Sequence, residues 1–118
     1  MHALIIEDSY ILAMTIEDAL RPLGYVSFDL APNVAAALAA AEDRCPDLIV
    51  ADQRLDTGTG TEAVRRICAG KPIPVVFVTG SASEVRAELP LAIIVDKPFG
   101  DAALHGAIMR AVANPFGG

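Results

Sequence analysis

The sequence predicts an α/β fold, a five-stranded parallel sheet with helices on both faces. Three observations carry this. Short apolar runs bounded by turn residues alternate with longer helical patterns, as in sheets covered on both sides. The chain has 118 residues, room for one core and one domain. Its composition, 53% hydrophobic and 20% charged, excludes disorder and suits a packed, Ala/Val/Ile-rich interior.

The elements follow in order. Ala3-Leu4-Ile5-Ile6 reads as the first strand and runs into Glu7-Asp8. Ser9 is a good N-cap for a helix to about Leu23, with Gly24 as its stop signal. Tyr25 to Leu30 is a weaker second strand. Asn33 caps an Ala-rich helix that ends before Pro46. Leu48 to Ala51 is the third strand, leading into Asp52. A loop from Gln53 to Thr59 precedes a helix from about Gly60 to Ala69. Pro74 to Val78 is the fourth strand, ending at Thr79. A short helical segment reaches Pro90, Ala92 to Val95 is the fifth strand, and Asp101 to Ala113 the last helix. The tail from Asn114 to Gly118 reads as frayed. The reading is therefore five βα units with right-handed crossovers, a flavodoxin-like arrangement, with ligands outside the carboxyl ends of the strands.

Composition narrows the function classes. Nine basic against fifteen acidic residues give a net charge of −6 with no basic stripe, which argues against direct nucleic-acid binding. Cys45 and Cys68 have neither disulfide-framework nor zinc spacing, so a reducing cytoplasm is the expected setting. No apolar run reaches membrane-spanning length, and the N-terminus carries no signal-peptide pattern.

The residues expected at the strand ends are Glu7, Asp8, Asp52, Thr79 and Lys97. Singly, each reads as an ordinary cap, turn or loop residue. Together, at the ends of strands one, three, four and five, they make a site. Clustered carboxylates repel unless a cation joins them. Mg²⁺ suits a few carboxylates with retained waters and phosphate oxygens. Asp52 is then the expected nucleophile, forming an aspartyl phosphate. Lys97 would contact an equatorial phosphoryl oxygen, and Thr79 would hydrogen-bond the phosphoryl group.

These motifs resemble the response-regulator receiver family over essentially the whole chain. The matching segments are Leu4-Ile5-Ile6-Glu7-Asp8, Leu48-Ile49-Val50-Ala51-Asp52, Val76-Phe77-Val78-Thr79-Gly80 and Val95-Asp96-Lys97-Pro98-Phe99, with Gly60 eight residues after Asp52. The resemblance implies a receiver domain over 1–118 without an output domain. It implies Mg²⁺ on Glu7, Asp8, Asp52 and the Arg54 backbone carbonyl, phosphorylation at Asp52, and a cis Lys97-Pro98 bond. Its implied partners are a histidine kinase or a histidine phosphotransfer protein.

Four features depart from the family pattern. Asp56 stands where Pro is frequent, and Ile94 where the switch aromatic usually lies. Gly80 follows the threonine, resembling a stand-alone receiver subset with a Phe-Ala-Thr-Gly-like motif. Seventeen residues between Thr79 and Lys97 leave at most about two turns for the fourth helix, which is marginal unless packing holds it.

On the first helix, Leu12, Ile16, Ala19, Leu20 and Leu23 form a core-facing stripe. Tyr10, Ile11 and Met14 fall outside it, a candidate partner-binding patch or a contact with the loop after the third strand. The competing reading is an enzyme, a small aspartyl-phosphate phosphatase or phosphotransferase. That chemistry wants a second carboxylate two residues after the nucleophile, where Arg54 stands. A flavodoxin-like cofactor binder is also disfavoured, because Glu7-Asp8 would repel a phosphate at the first loop.

Overall fold

The structure, a computed structural model, describes residues 1–118. Five strands, β1 (His2–Ile6), β2 (Ser27–Ala31), β3 (Leu48–Ala51), β4 (Val75–Thr79) and β5 (Ile93–Asp96), alternate with five helices. These are α1 (Tyr10–Leu20), α2 (Val34–Asp43), α3 (Gly60–Ile67), α4 (Ala82–Glu88) and α5 (Asp101–Ala113). All strand pairs are parallel, in the order β2-β1-β3-β4-β5. The order reverses between β1 and β3, which opens a crevice at their carboxyl ends.

Strand periodicity divides the core into two layers. Ala3, Ile5, Leu48, Val50, Val76 and Val78 pack under α1 and α5. Leu4, Ile6, Ile49, Ala51, Val75 and Phe77 pack under α2, α3 and α4. The two expected side-chain caps hold, Ser9 Oγ accepting from Leu12 N–H and Asn33 Oδ1 from Ala36 N–H; Thr59, read only as the end of a loop, is a third, its Oγ1 accepting from Glu62 N–H.

Several boundaries move for physical reasons. The first helix changes to a 3₁₀ turn over Arg21–Leu23, because Pro22 has no N–H for an α-helical bond. Gly24 closes that turn at φ 96°, a conformation open mainly to glycine. The second strand begins at Ser27 rather than Tyr25. Tyr25 is buried against the α5 side of the core instead of joining the ladder. The third helix stops at Ile67, and β5 is displaced by one residue.

The tail is not frayed. Phe116 bridges to Ile73 through two backbone hydrogen bonds, 3.0 and 2.8 Å, and Gly118 N–H donates to Cys68 O at 3.1 Å. Burial of Phe116 against the second core layer holds it there. The fourth helix is as short as expected, seven residues, and sends one buried side chain, Val85, into the core.

Candidate functional site

Five chemistry-bearing residues meet where β1, β3, β4 and β5 end. The sheet ladder continues one residue past three of these strands and so fixes the acids and the lysine. Glu7 N–H donates to Ala31 O and Asp52 N–H to Ile6 O, both at 2.9 Å; Lys97 N–H donates to Thr79 O at 3.1 Å. The Lys97-Pro98 peptide is cis, as the resemblance implied.

Glu7 and Asp52 are buried and Asp8 is exposed, yet each offers an oxygen within 4.8 Å of the others. Lys97 Nζ donates to Glu7 Oε1 at 3.0 Å and to Asp52 Oδ2 at 2.8 Å. The remaining oxygens are also held: Ser9 N–H donates to Glu7 Oε2 at 3.0 Å, and Gln53 N–H to Asp52 Oδ1 at 2.7 Å. Three carboxylates against one ammonium leave two negative charges uncompensated. Burial pushes the Glu7 carboxyl above its usual range, against the Ser9 and Lys97 hydrogen bonds that lower it; the nearby Asp8 and Asp52 carboxylates add to the rise. For Lys97, burial opposes the charge but the Asp52 and Glu7 hydrogen bonds outweigh it, and its pKa is raised.

Thr79 is fully buried, and its Oγ1 accepts from Ser81 N–H at 3.0 Å. Gly60 explains the tight loop after β3. A Cβ there would lie 2.0 Å from the Asp52 carbonyl oxygen, so only glycine allows this approach. The Arg54 carbonyl accepts no backbone hydrogen bond, while its side chain turns away to Ser81 and Glu84. The three clustered carboxylates fit a hard divalent cation better than a softer metal.

A family model described as the response regulator receiver domain matches residues 3–109. The chain belongs to that family. The receiver domain is 33% identical over 113 residues to the phyllosphere-induced regulator PhyR of Methylorubrum extorquens, covering 92% of this chain and 42% of the relative. It is 33% identical over 82 residues to a protein-glutamate methylesterase/protein-glutamine glutaminase of Halobacterium salinarum, covering 70% of this chain and 24% of that protein. The chain thus spans less than half the length of these curated relatives. Among solved structures, the solution structure of the Erythrobacter litoralis PhyR receiver domain superposes with a TM-score of 0.87 at 28% identity, covering 99% of this chain and 93% of that one. PhyR from Brucella abortus superposes at 0.83 with 31% identity, covering 95% of this chain and 47% of that one.

The other expected positions of the receiver domain are less central. Tyr10 and Ile11 are exposed, 68% and 81%, whereas Met14 is half-buried and adds little surface. Asp56 is exposed, its carboxylate accepting from the Thr57 hydroxyl. Ile94 is half-buried against the second core layer. Sequence reasoning missed the Gln53 side chain. It is buried and paired with Thr61 from the far side of the loop, a contact only the Gly60 approach creates. No helix is long and apolar enough to cross a membrane.

Proposed function

We propose that the domain is a phosphorylation-controlled response regulator module acting in the cytoplasm, and that Asp52 is its phosphoacceptor. The observation that carries the reading is the Asp52 carboxylate itself. It is buried at the strand ends, hydrogen-bonded to Lys97 and within ligand reach of two further carboxylates. Mg²⁺ would be held by Glu7, Asp8, Asp52 and the Arg54 carbonyl, and when bound it offsets charge on the phosphoryl oxygens.

The chain's own residues do the rest. An Asp52 oxygen attacks the phosphorus of a phosphohistidine; the P–N bond breaks, the P–O bond forms, and the imidazole leaves with the electron pair. Lys97 moves from carboxylate to phosphoryl oxygen, a small displacement for a flexible ammonium. Thr79 turns its hydroxyl from the Ser81 N–H toward the same group. Tyr10 and Ile11, with a minor part from Met14, form the surface on which a histidine kinase or histidine phosphotransfer protein docks. The domain signals by partner binding or onward transfer rather than by turning over external substrates. Arg54, where a hydrolase would carry its second carboxylate, supplies no general acid.

The test is incubation with acetyl phosphate with and without Mg²⁺. One hydroxylamine-labile phosphoryl group should be gained only with the metal. A hydroxylamine-stable or metal-independent product would contradict an acyl phosphate formed at this site.

A further inference from the structure

The first two residues after Asp52 connect to the two ends of α4 differently, Gln53 through Thr61 of α3 and Arg54 directly. Gln53 Oε1 accepts from Thr61 N–H at 3.0 Å, and its Nε2 donates to Thr61 Oγ1 at 3.2 Å. The Thr61 hydroxyl donates to the Glu88 carboxylate at the last residue of α4. Arg65 adds a bond to the Glu88 carbonyl at 2.9 Å. Gln53 and Thr61 are buried, while Glu88 and Arg65 are exposed like Glu84. What sets this end apart is that its network, rooted in two buried side chains, ties the C-terminal end of α4 to α3.

The N-terminal end depends on exposed contacts. Arg54 Nε donates to Ser81 Oγ at 2.8 Å and Nη2 to Glu84 Oε1 at 2.6 Å. Arg54 is 74% and Glu84 45% exposed, so this pair lies in high dielectric and is cheap to exchange. The only other side-chain attachment of that end is Ser81 N–H on Thr79 Oγ1. Gly80 between them has open space around it.

We propose that Arg54 couples Asp52 to α4. It latches the N-terminal end of the helix while Asp52 is free, then gives its guanidinium to a phosphoryl group on Asp52, and α4 pivots about its Glu88 end. The proposal rests on the reading of Asp52 as phosphoacceptor. A phosphoryl group brings a charge of about −1.5 to −2 and three strong acceptor oxygens. The planar guanidinium fork fits those oxygens bidentately, whereas Glu84 offers one exposed carboxylate. Thr79 is claimed in the same event, so both attachments of the N-terminal end are released together. The Gln53–Thr61–Glu88 side chains share no atom with the phosphoryl group and stay in place.

Residue-resolved amide exchange on the full chain tests this, with intact mass reading phosphoryl occupancy. In unphosphorylated Arg54→Met, the Glu84 and Val85 amides should exchange roughly two- to five-fold faster, approaching phosphorylated wild type. The Leu89 amide, bonded to Val85 O, should not change. Glu88→Gln should do the reverse, loosening Leu89 and sparing Glu84. Phosphorylation should add little further at Glu84 in Arg54→Met, a non-additivity that a merely stabilising side chain would not show. Wild-type exchange in Arg54→Met, or an equal phosphorylation-induced increment in both proteins, would overturn the coupling alone. Failure of wild type to take up phosphoryl would overturn the phosphoacceptor reading and the coupling with it.

Discussion

The Lys97 ammonium lies 2.8 Å from Asp52 Oδ2, although the two residues are 45 positions apart in the chain. The same nitrogen reaches Glu7, 90 positions away. One cation therefore sits among the buried acids, and its raised pKa keeps it charged throughout the neutral range. A metal entering here shares the carboxylates with Lys97, and Asp8, exposed and free of ion pairs, is the acid most available to it.

Asp8→Asn should accordingly weaken Mg²⁺ binding by about 1–3 kcal/mol, the scale of one lost charge-assisted contact. Calorimetric titration of both proteins with Mg²⁺ measures this. Equal affinities would remove Asp8 from the metal site.

Gly60→Ala should destabilise the fold by at least about 1–3 kcal/mol, because the new methyl group meets the Asp52 carbonyl at 2.0 Å and the loop must shift. The midpoint of urea unfolding reads the cost. The displaced Asp52 should also take up phosphoryl more slowly. A variant as stable as wild type would mean that the loop is not packed as described.

The two thiols should behave as different groups. Burial pushes Cys68 up to about 11, with Cys45 adding a smaller rise, while Cys45 itself is exposed. At pH 8 only about one Cys68 in a thousand is a thiolate, three units below its pKa. A disulfide reagent should then modify Cys45 promptly and Cys68 only on unfolding. The sign for stability follows. A raised folded-state pKa means a contribution present below the unfolded value near 9 and lost as pH climbs toward 11. Two equally fast thiols at pH 8 would contradict this.

Much of the site was legible because it depends on strand order and strand length. Once the strands were read as one parallel sheet, Glu7, Asp52, Thr79 and Lys97 had to emerge at its carboxyl edge, and the observed order makes their four strands neighbours. What escaped the sequence depends on tertiary approach. Tyr25 has strand propensity but is buried under α5, and Phe116 in a Pro/Gly tail finds Ile73 and the core. The Gln53–Thr61–Glu88 chain joins three elements through polar side chains that have no periodicity of their own. The seven-residue α4 is held by these outside contacts more than by its own turns.

Ile94 should be a quiet position. It is β-branched, half-buried and without a hydroxyl to exchange partners, so Ile94→Val should cost about 0.5–1.5 kcal/mol and leave the α4 response intact. Thr79→Ala removes the acceptor of the Ser81 N–H and should still permit phosphorylation while blunting that response. Amide exchange at Glu84 with and without phosphoryl, in both variants, decides. A response lost in Ile94→Val and kept in Thr79→Ala would reverse this assignment.

The central claim is that Asp52 alone accepts the phosphoryl group. Intact-mass measurement of wild type and Asp52→Asn, each incubated with acetyl phosphate and Mg²⁺, tests it most directly. Wild type should gain the mass of one phosphoryl group and Asp52→Asn none; equal labelling of the two proteins would contradict the claim.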